Sequence, residues 1–245
     1  MKIIPVSEGS FTIDKTKQFV PFDDSTDQLK SRPAGSLLVE IQPFVVITSK
    51  DVLLIDTGLG FADNGGAMQL VKNLGAAGVA PSSITKVLMS HLHKDHAGGV
   101  SDETDRSRLC FPNATYYVQQ RELEAALEKG LPSYIPDEIA ALRSASNVVL
   151  LTEDHGIIDN YIEYQVTCAH SVFHQVFWIR DEGEVVFFGA DDAPQLSQMK
   201  QRFAAKYDHD GKKAMELRQD WWEKGALENW TFLFYHDIKT PVLKA

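Results

Sequence analysis

Two β-sheets packed face to face with helices outside them, an α/β architecture, follow from three features of the 245-residue sequence. Strand-like runs fall into two β-rich halves, helical segments interrupt and follow them, and polar chemistry collects where apolar runs end. The first runs are 44–48 and 52–56, each four apolar residues and a polar one, joined by Ser49-Lys50-Asp51 in the manner of a hairpin. Further strands are expected at 86–90, 115–118, 148–151, 162–169, 176–180, 184–188 and 231–235. Helices are expected at 67–77, 119–129, 195–207 and 212–224, where good helix formers carry apolar residues three and four apart, as in Met199/Phe203 and Leu217/Trp221. No Gly/Ser-rich or Pro-rich linker divides the chain, so 1–245 is read as one domain.

Bulk composition narrows the function. Hydrophobic residues at 44% and charged residues at 24% sit near the averages of water-soluble proteins, which argues against disorder and against a membrane protein. The N-terminus lacks the apolar run of a secretory signal, and two cysteines, Cys110 and Cys168, do not make a disulfide framework. A cytoplasmic protein is therefore expected. A formal net charge of −10 without a Lys/Arg stripe repels phosphate backbones, so a small molecule rather than nucleic acid or membrane is the expected partner. The same composition leaves the oligomeric state open.

The densest chemistry follows the run Lys86-Val87-Leu88-Met89-Ser90, where His91-Leu92-His93-Lys94-Asp95-His96 is closed by Ala97-Gly98-Gly99. If 91–93 stays extended, His91 and His93 project to one side and reach one ion, while Asp95 and His96, past the bend, face a second ion ~3.5–4 Å away. Four ionisable groups crowded at the end of a buried strand would incur large desolvation and repulsion without a counter-ion, and a metal pair resolves this. Later apolar runs end in His170/His174, Asp191/Asp192 and His236/Asp237, so six of the eight histidines sit at such ends, leaving His155 and His209 in polar surroundings.

His-x-His-x-Asp-His preceded by Asp56-Thr57-Gly58 resembles the metallo-β-lactamase superfamily, over roughly residues 44–237. The resemblance implies a four-layer αββα sandwich and gives Asp56 a supporting role that orients ligands and loop. The family's Gly-His-Thr-Pro-Gly-His corresponds to Ala169-His170-Ser171-Val172-Phe173-His174, which keeps both histidines and loses the proline and both glycines. His174 takes the ligand role in that correspondence, with His170 as the alternative. Asp191, at the end of the apolar run 185–190, matches the metal-bridging aspartate, with Asp192 as its alternative, and Tyr235-His236-Asp237 matches the final motif. The implied set is His91, His93 and His174 on one ion, Asp95, His96 and His236 on the other, and Asp191 between them. Nitrogen and oxygen donors suit zinc, the family's habit, and also manganese, iron or cobalt.

Two divalent ions lower the pKa of a shared water and yield a hydroxide nucleophile near neutral pH, the second ion polarising the carbonyl under attack. By resemblance, Asp95 is the catalytic residue that orients this nucleophile and carries its proton to the leaving oxygen. True β-lactamases generally lack the bridging aspartate, and di-iron redox relatives replace the second histidine, here His93, by glutamate. Only nine residues follow His236, too few for the substrate-binding helical domain of glyoxalase II-type thioesterases. The ending resembles N-acyl homoserine lactonases, so a small ester-like substrate, a lactone such as an N-acyl homoserine lactone, is expected. Such lactonases often carry a tyrosine three residues after the bridging aspartate, where this chain has Pro194. A phosphotriester hydrolase is the alternative activity, and a non-catalytic metal-binding interaction domain the alternative of another class. The segments 19–22 and 59–61 could line an entrance or pack over the sheets, whereas Trp221-Trp222 and Met199/Phe203 read as helix packing.

Overall fold

The computed structural model describes residues 1–62 and 67–245. Its first half runs β1 (Lys2–Pro5), β2 (Gly9–Ile13), β3 (Phe19–Pro21), β4 (Leu37–Ile41), β5 (Phe44–Ile47), β6 (Val52–Ile55), α1 (Gln69–Ala76), β7 (Lys86–Leu88), α2 (Lys94–Ala97), β8 (Thr115–Gln119), α3 (Gln120–Lys129), α4 (Pro136–Ile139) and β9 (Val148–Leu151). The second half runs β10 (His155–Ile158), β11 (Ile162–Val166), β12 (Gln175–Asp181), β13 (Glu184–Phe188), α5 (Leu196–Met199), α6 (Gly211–Glu228), β14 (Thr231–Leu233) and β15 (Val242–Lys244). One six-stranded sheet has the order β1-β5-β6-β7-β8-β9 and the other β10-β11-β12-β13-β14-β15, with β3-β2-β4 as a small third sheet.

Strand direction follows from what joins the strands. Ser49-Lys50-Asp51 turns β5 back on β6 as an antiparallel hairpin, whereas α1 between β6 and β7, α3 between β8 and β9, and α6 between β13 and β14 are crossovers that permit parallel pairing. Alternation along the strands then builds the layers. Val46, Leu53, Ile55 and Leu88 meet Phe177, Ile179, Val186, Phe188 and Leu233 in the core between the sheets. Their neighbours Val45, Leu54 and Val87 face outward onto Leu70 and Leu74 of α1 and Leu123 of α3. On the far side Val176, Trp178, Phe187 and Phe232 face Trp221 of α6. The result is an αββα sandwich, because each central strand is apolar on both faces. Truncating a ring such as Phe188, with no exposed surface, would cost roughly 3–5 kcal/mol.

The helix expected at 195–207 is shorter than its sequence suggests, ending at Met199 as α5. Residues beyond it dock on the loop after β11 instead, since His209 N donates to His170 O (3.0 Å) and Asp210 N to Ala169 O (2.7 Å). Arg218, buried on α6, donates to Asp192 O (2.7 Å) and to Phe203 O, the latter a carbonyl that a longer helix would need. Met199 and Trp221 pack in the outer core, while Phe203, off the helix, is exposed. Strands β1 to β4, β10 and β15 lie outside the runs expected as strands; they are short, and several are only half-buried. Both cysteines are unpaired.

Candidate metal centre

The site lies where strands of both sheets end. After β7 the chain passes through Met89 and Ser90 to His91, and α2 then carries Asp95 and His96. The loop after β6 crosses it closely: Asp56 N donates to Leu88 O (2.9 Å), Thr57 N to His96 O (2.7 Å) and Gly98 N to Gly58 O (2.8 Å). Gly60, at φ +68°, tolerates no side chain here, because a Cβ would stand 2.1 Å from Gly98 O. From the second sheet come His170 after β11, Asp191 after β13 and His236 after β14.

These segments bring ring nitrogens and carboxylate oxygens to common points. His93 Nδ1 lies 3.0 Å from His91 Nε2 and 3.1 Å from His170 Nε2. Three nitrogens sharing one tetrahedral ion at ~2.05 Å would stand ~3.3 Å apart, so this spacing fits a metal. Asp191 Oδ1 faces His96 Nε2 at 3.1 Å and His236 Nε2 at 3.0 Å, while its Oδ2 faces His170 Nε2 at 3.2 Å. Asp95 Oδ2 stands 3.6 Å from His236 Nε2 and 3.8 Å from His96 Nε2. Three groups able to hold an ion result, each with its atoms within 4.8 Å: His91, His93 and His170; His91, His96 and Asp191; Asp95, His96 and His236.

His174 is not in these groups. It is fully buried, its Nδ1 is 3.0 Å from Asp192 Oδ2, and Asp192 Oδ1 accepts from the backbone N of His170 (2.8 Å). The pair thus braces the loop that carries His170. The chain here turns through Cys168 at φ +53°, a backbone that the family motif could not predict once its proline and glycines were gone.

The outward nitrogens of the histidines are occupied, which fixes which nitrogen is free. His96 Nδ1 faces Asp56 Oδ2 at 2.8 Å, and that carboxylate also accepts from Ser90 N (2.8 Å) and Ser90 Oγ (2.6 Å). His170 Nδ1 faces Asp208 Oδ1 at 2.8 Å, and His236 Nδ1 faces Glu40 O at 2.7 Å. Each therefore donates through Nδ1 and, in its neutral form, presents a lone pair on Nε2. Asp208 lies just past the segment expected as helix, and only the docking of the chain there exposes its role. Glu122 of α3 is a second residue the sequence hid: its buried carboxylate accepts from Leu92 N (3.2 Å) and Ser171 Oγ (3.0 Å), tying both ligand loops to one helix.

Burial pushes His91 and His93 well below the ordinary histidine pKa, with neighbouring imidazoles adding to the effect, so both favour the neutral, ligating form. Burial opposes charge on His96, His170 and His236 too, but carboxylates led by Asp191 outweigh it and raise all three. Reciprocally, burial works against ionisation of Asp191, yet His236, His96 and His170 hold it well below the carboxylate range. Among the described residues, the buried polar atoms without hydrogen bonds include His96 Nε2 and Asp191 Oδ1, atoms a cation would satisfy, and also His174 Nε2.

The cluster forms one wall of a cavity of about 670 Å³, lined also by Phe19, Leu37, Val172, Pro194, Tyr207 and His209. Phe19 of the apolar segment 19–22 thus faces the cavity, whereas Leu59 is buried and Phe61 packs against Phe11 at 5.9 Å. Among the described residues, no helix is long and apolar enough to cross a membrane.

A family model described as the metallo-beta-lactamase superfamily matches residues 39–218. The N-acyl homoserine lactonase AttM of Azorhizobium caulinodans is 41% identical over 56 residues, which cover 23% of this chain and 18% of that protein. The N-acyl homoserine lactonase AiiA of Bacillus thuringiensis subsp. kurstaki is 24% identical over 192 residues, 69% of this chain and 71% of its own. Among solved structures, a probable metal-dependent hydrolase from Staphylococcus aureus superposes with a TM-score of 0.79 at 21% identity, covering 99% of this chain and 91% of that one. AidC, a dizinc quorum-quenching lactonase in complex with a product, superposes at 0.73 and 21% identity, covering 99% and 89%. At such identities the superpositions establish a shared fold.

Proposed function

Because this chain belongs to the metallo-β-lactamase superfamily of metal-dependent hydrolases, we propose that it holds two divalent ions, zinc by family habit, and hydrolyses a small ester-like substrate, a lactone first among them. The observation that carries the reading is Asp191, whose two oxygens face different sets of histidines, so that its carboxylate could serve two ions at once. We assign His91, His93 and His170 to one ion and Asp95, His96 and His236 to the other, with His170 in place of His174.

Bound there, such ions supply an activated water and a Lewis acid for the carbonyl. The chain's own residues do the rest. Asp95, its carboxylate about one-eighth exposed at the cavity floor, accepts a proton from the attacking water and returns it to the leaving oxygen as the ester bond breaks, so acid and alcohol account for all atoms. Asp56, Asp208 and the carbonyl of Glu40 hold the imidazoles in the tautomer that ligates. Pro194 offers no hydroxyl to the substrate carbonyl; Tyr207, its ring 6.2 Å from that of His170, supplies one from the cavity wall.

Reconstituting the chain with zinc, counting the ions, and assaying lactones against phosphotriesters tests the proposal. Two ions per chain and lactone turnover are expected. Phosphotriesters hydrolysed far faster than every lactone would reassign the substrate, one ion at saturation would remove the second centre, and no hydrolysis by fully loaded protein would leave a non-catalytic metal-binding domain.

A further inference from the structure

The cavity holds more positive charge than its metal ligands call for. In a chain with 34 acidic and 24 basic residues, Lys15, Lys17, Lys94 and Lys129 all line this one cavity. Lys17 and Lys94 are the half-buried pair, and Lys17 is close enough for its charge to act on both Lys94 and His93. Among the described residues neither ammonium has a carboxylate within 4.0 Å, unlike Lys86, which pairs with Asp51 and Asp159.

The carboxylates on the same wall do not answer them. Asp95, Asp191 and Asp208 are engaged by histidines, and Asp14 accepts from Thr16 N (2.9 Å) and Thr16 Oγ1 (2.6 Å). Both lysines are also held in place. Lys17 closes the turn between β2 and β3, at φ +59° and with its N donating to Asp14 O (3.0 Å). Lys94 opens α2, its N donating to Ser133 O (2.9 Å) and its Nζ lying 5.7 Å from the centre of the Phe19 ring. The two ammonium groups share one cavity and repel, Asp95 and Glu138 offset this at Lys94 only from beyond 4.0 Å while engaged by histidines and by Arg106, and metal ions in the same cavity would add to the repulsion until an anion enters.

We propose that Lys17 and Lys94 form a subsite for an anionic group, carboxylate or phosphate, carried by the substrate at a distance from the bond that is cleaved. The proposal rests on the hydrolase reading and makes it narrower. The substrate is then an ester or lactone with one end charged, not an acyl lactone with an uncharged tail, and Lys94 reads charge from within the ligand motif itself.

The test compares two esters of similar length on the zinc-loaded chain, neutral p-nitrophenyl butyrate and anionic mono-p-nitrophenyl succinate. A preference of about tenfold or more in kcat/KM for the anionic ester is expected, expressed in KM, and the Lys17→Met/Lys94→Met variant should abolish that ratio. A phosphate-bearing ester preferred over the succinate would also support the subsite and identify the anion as phosphate. Equal rates for the charged and neutral esters, or a ratio unchanged in the variant, would overturn the subsite while leaving the hydrolase reading intact. Binding of monomethyl succinate to the metal-free chain, followed by ligand-observed NMR, supplies a readout without turnover. Contact with the wild type that the double variant loses is expected, and identical spectra for the two proteins would sink the proposal even if no ester were hydrolysed.

Discussion

Glu8 shows how a single residue links an edge of the fold to the site. Its side chain is buried against the loop after β6, where Oε2 accepts from Leu59 N (2.6 Å) and a Cβ at Gly58, which has φ +72°, would stand 2.2 Å from that oxygen. Burial pushes its pKa from 4.5 to about 7. A carboxyl whose folded pKa is raised stabilises the fold fully below its unfolded value, and the contribution disappears as pH rises through about 7. Glu8→Gln should therefore flatten the fall in stability between roughly pH 6 and 8, a difference of about 1–2 kcal/mol over that window, read from urea unfolding at both pH values. Equal pH slopes for variant and wild type would show that the group ionises freely. Nothing in the sequence around Glu8 announces this, because its partner lies in a turn 51 residues away. The clustering of His91, His93, Asp95 and His96 was legible since their spacing alone brings them together; that His170 rather than His174 joins them in the structure was not, since it depends on Asp192 holding His174 and on the turn at Cys168.

At the scale of elements, residues 200–210 are the instructive segment. Local propensity favours helix as far as Tyr207, and the tertiary structure overrides it by docking the backbone of His209 and Asp210 on residues 169–170, which brings Asp208 to His170. The carboxylate is almost fully buried and has the imidazole as its partner, so it fixes the orientation of the His170 ring. Asp208→Asn should keep the fold and weaken zinc binding by about 10–100-fold, measured by competition with a chromogenic chelator. Undiminished affinity would mean that His170 needs no such support. The central strands and α1, α3 and α6 were readable because burial on two faces and helical spacing leave strong patterns. Strands β1 to β4 were not, being short, and β2, β3 and β4 bring Ile13, Phe19 and Leu37 to the cavity only through pairing with each other.

For the whole molecule, the site joins the two sheets: His91, His93, Asp95 and His96 hang from the first, and His170, Asp191 and His236 from the second. Ion binding to the folded state alone should stabilise it by about 4 kcal/mol at a thousandfold excess over Kd, so chelation should lower the melting temperature by about 10 °C. A melting curve unmoved by chelator would show that the ions contribute nothing across the interface. The arrangement also acts as a checksum on strand register. Asp191 stands just past β13, whose odd and even side chains serve opposite layers, so a slip of one residue against β12 or β14 would swap its apolar faces and carry the carboxylate away from the histidines. Misregistered chains would lack the bridge between the two ligand sets, and metal occupancy would then sort correctly assembled molecules from their near copies.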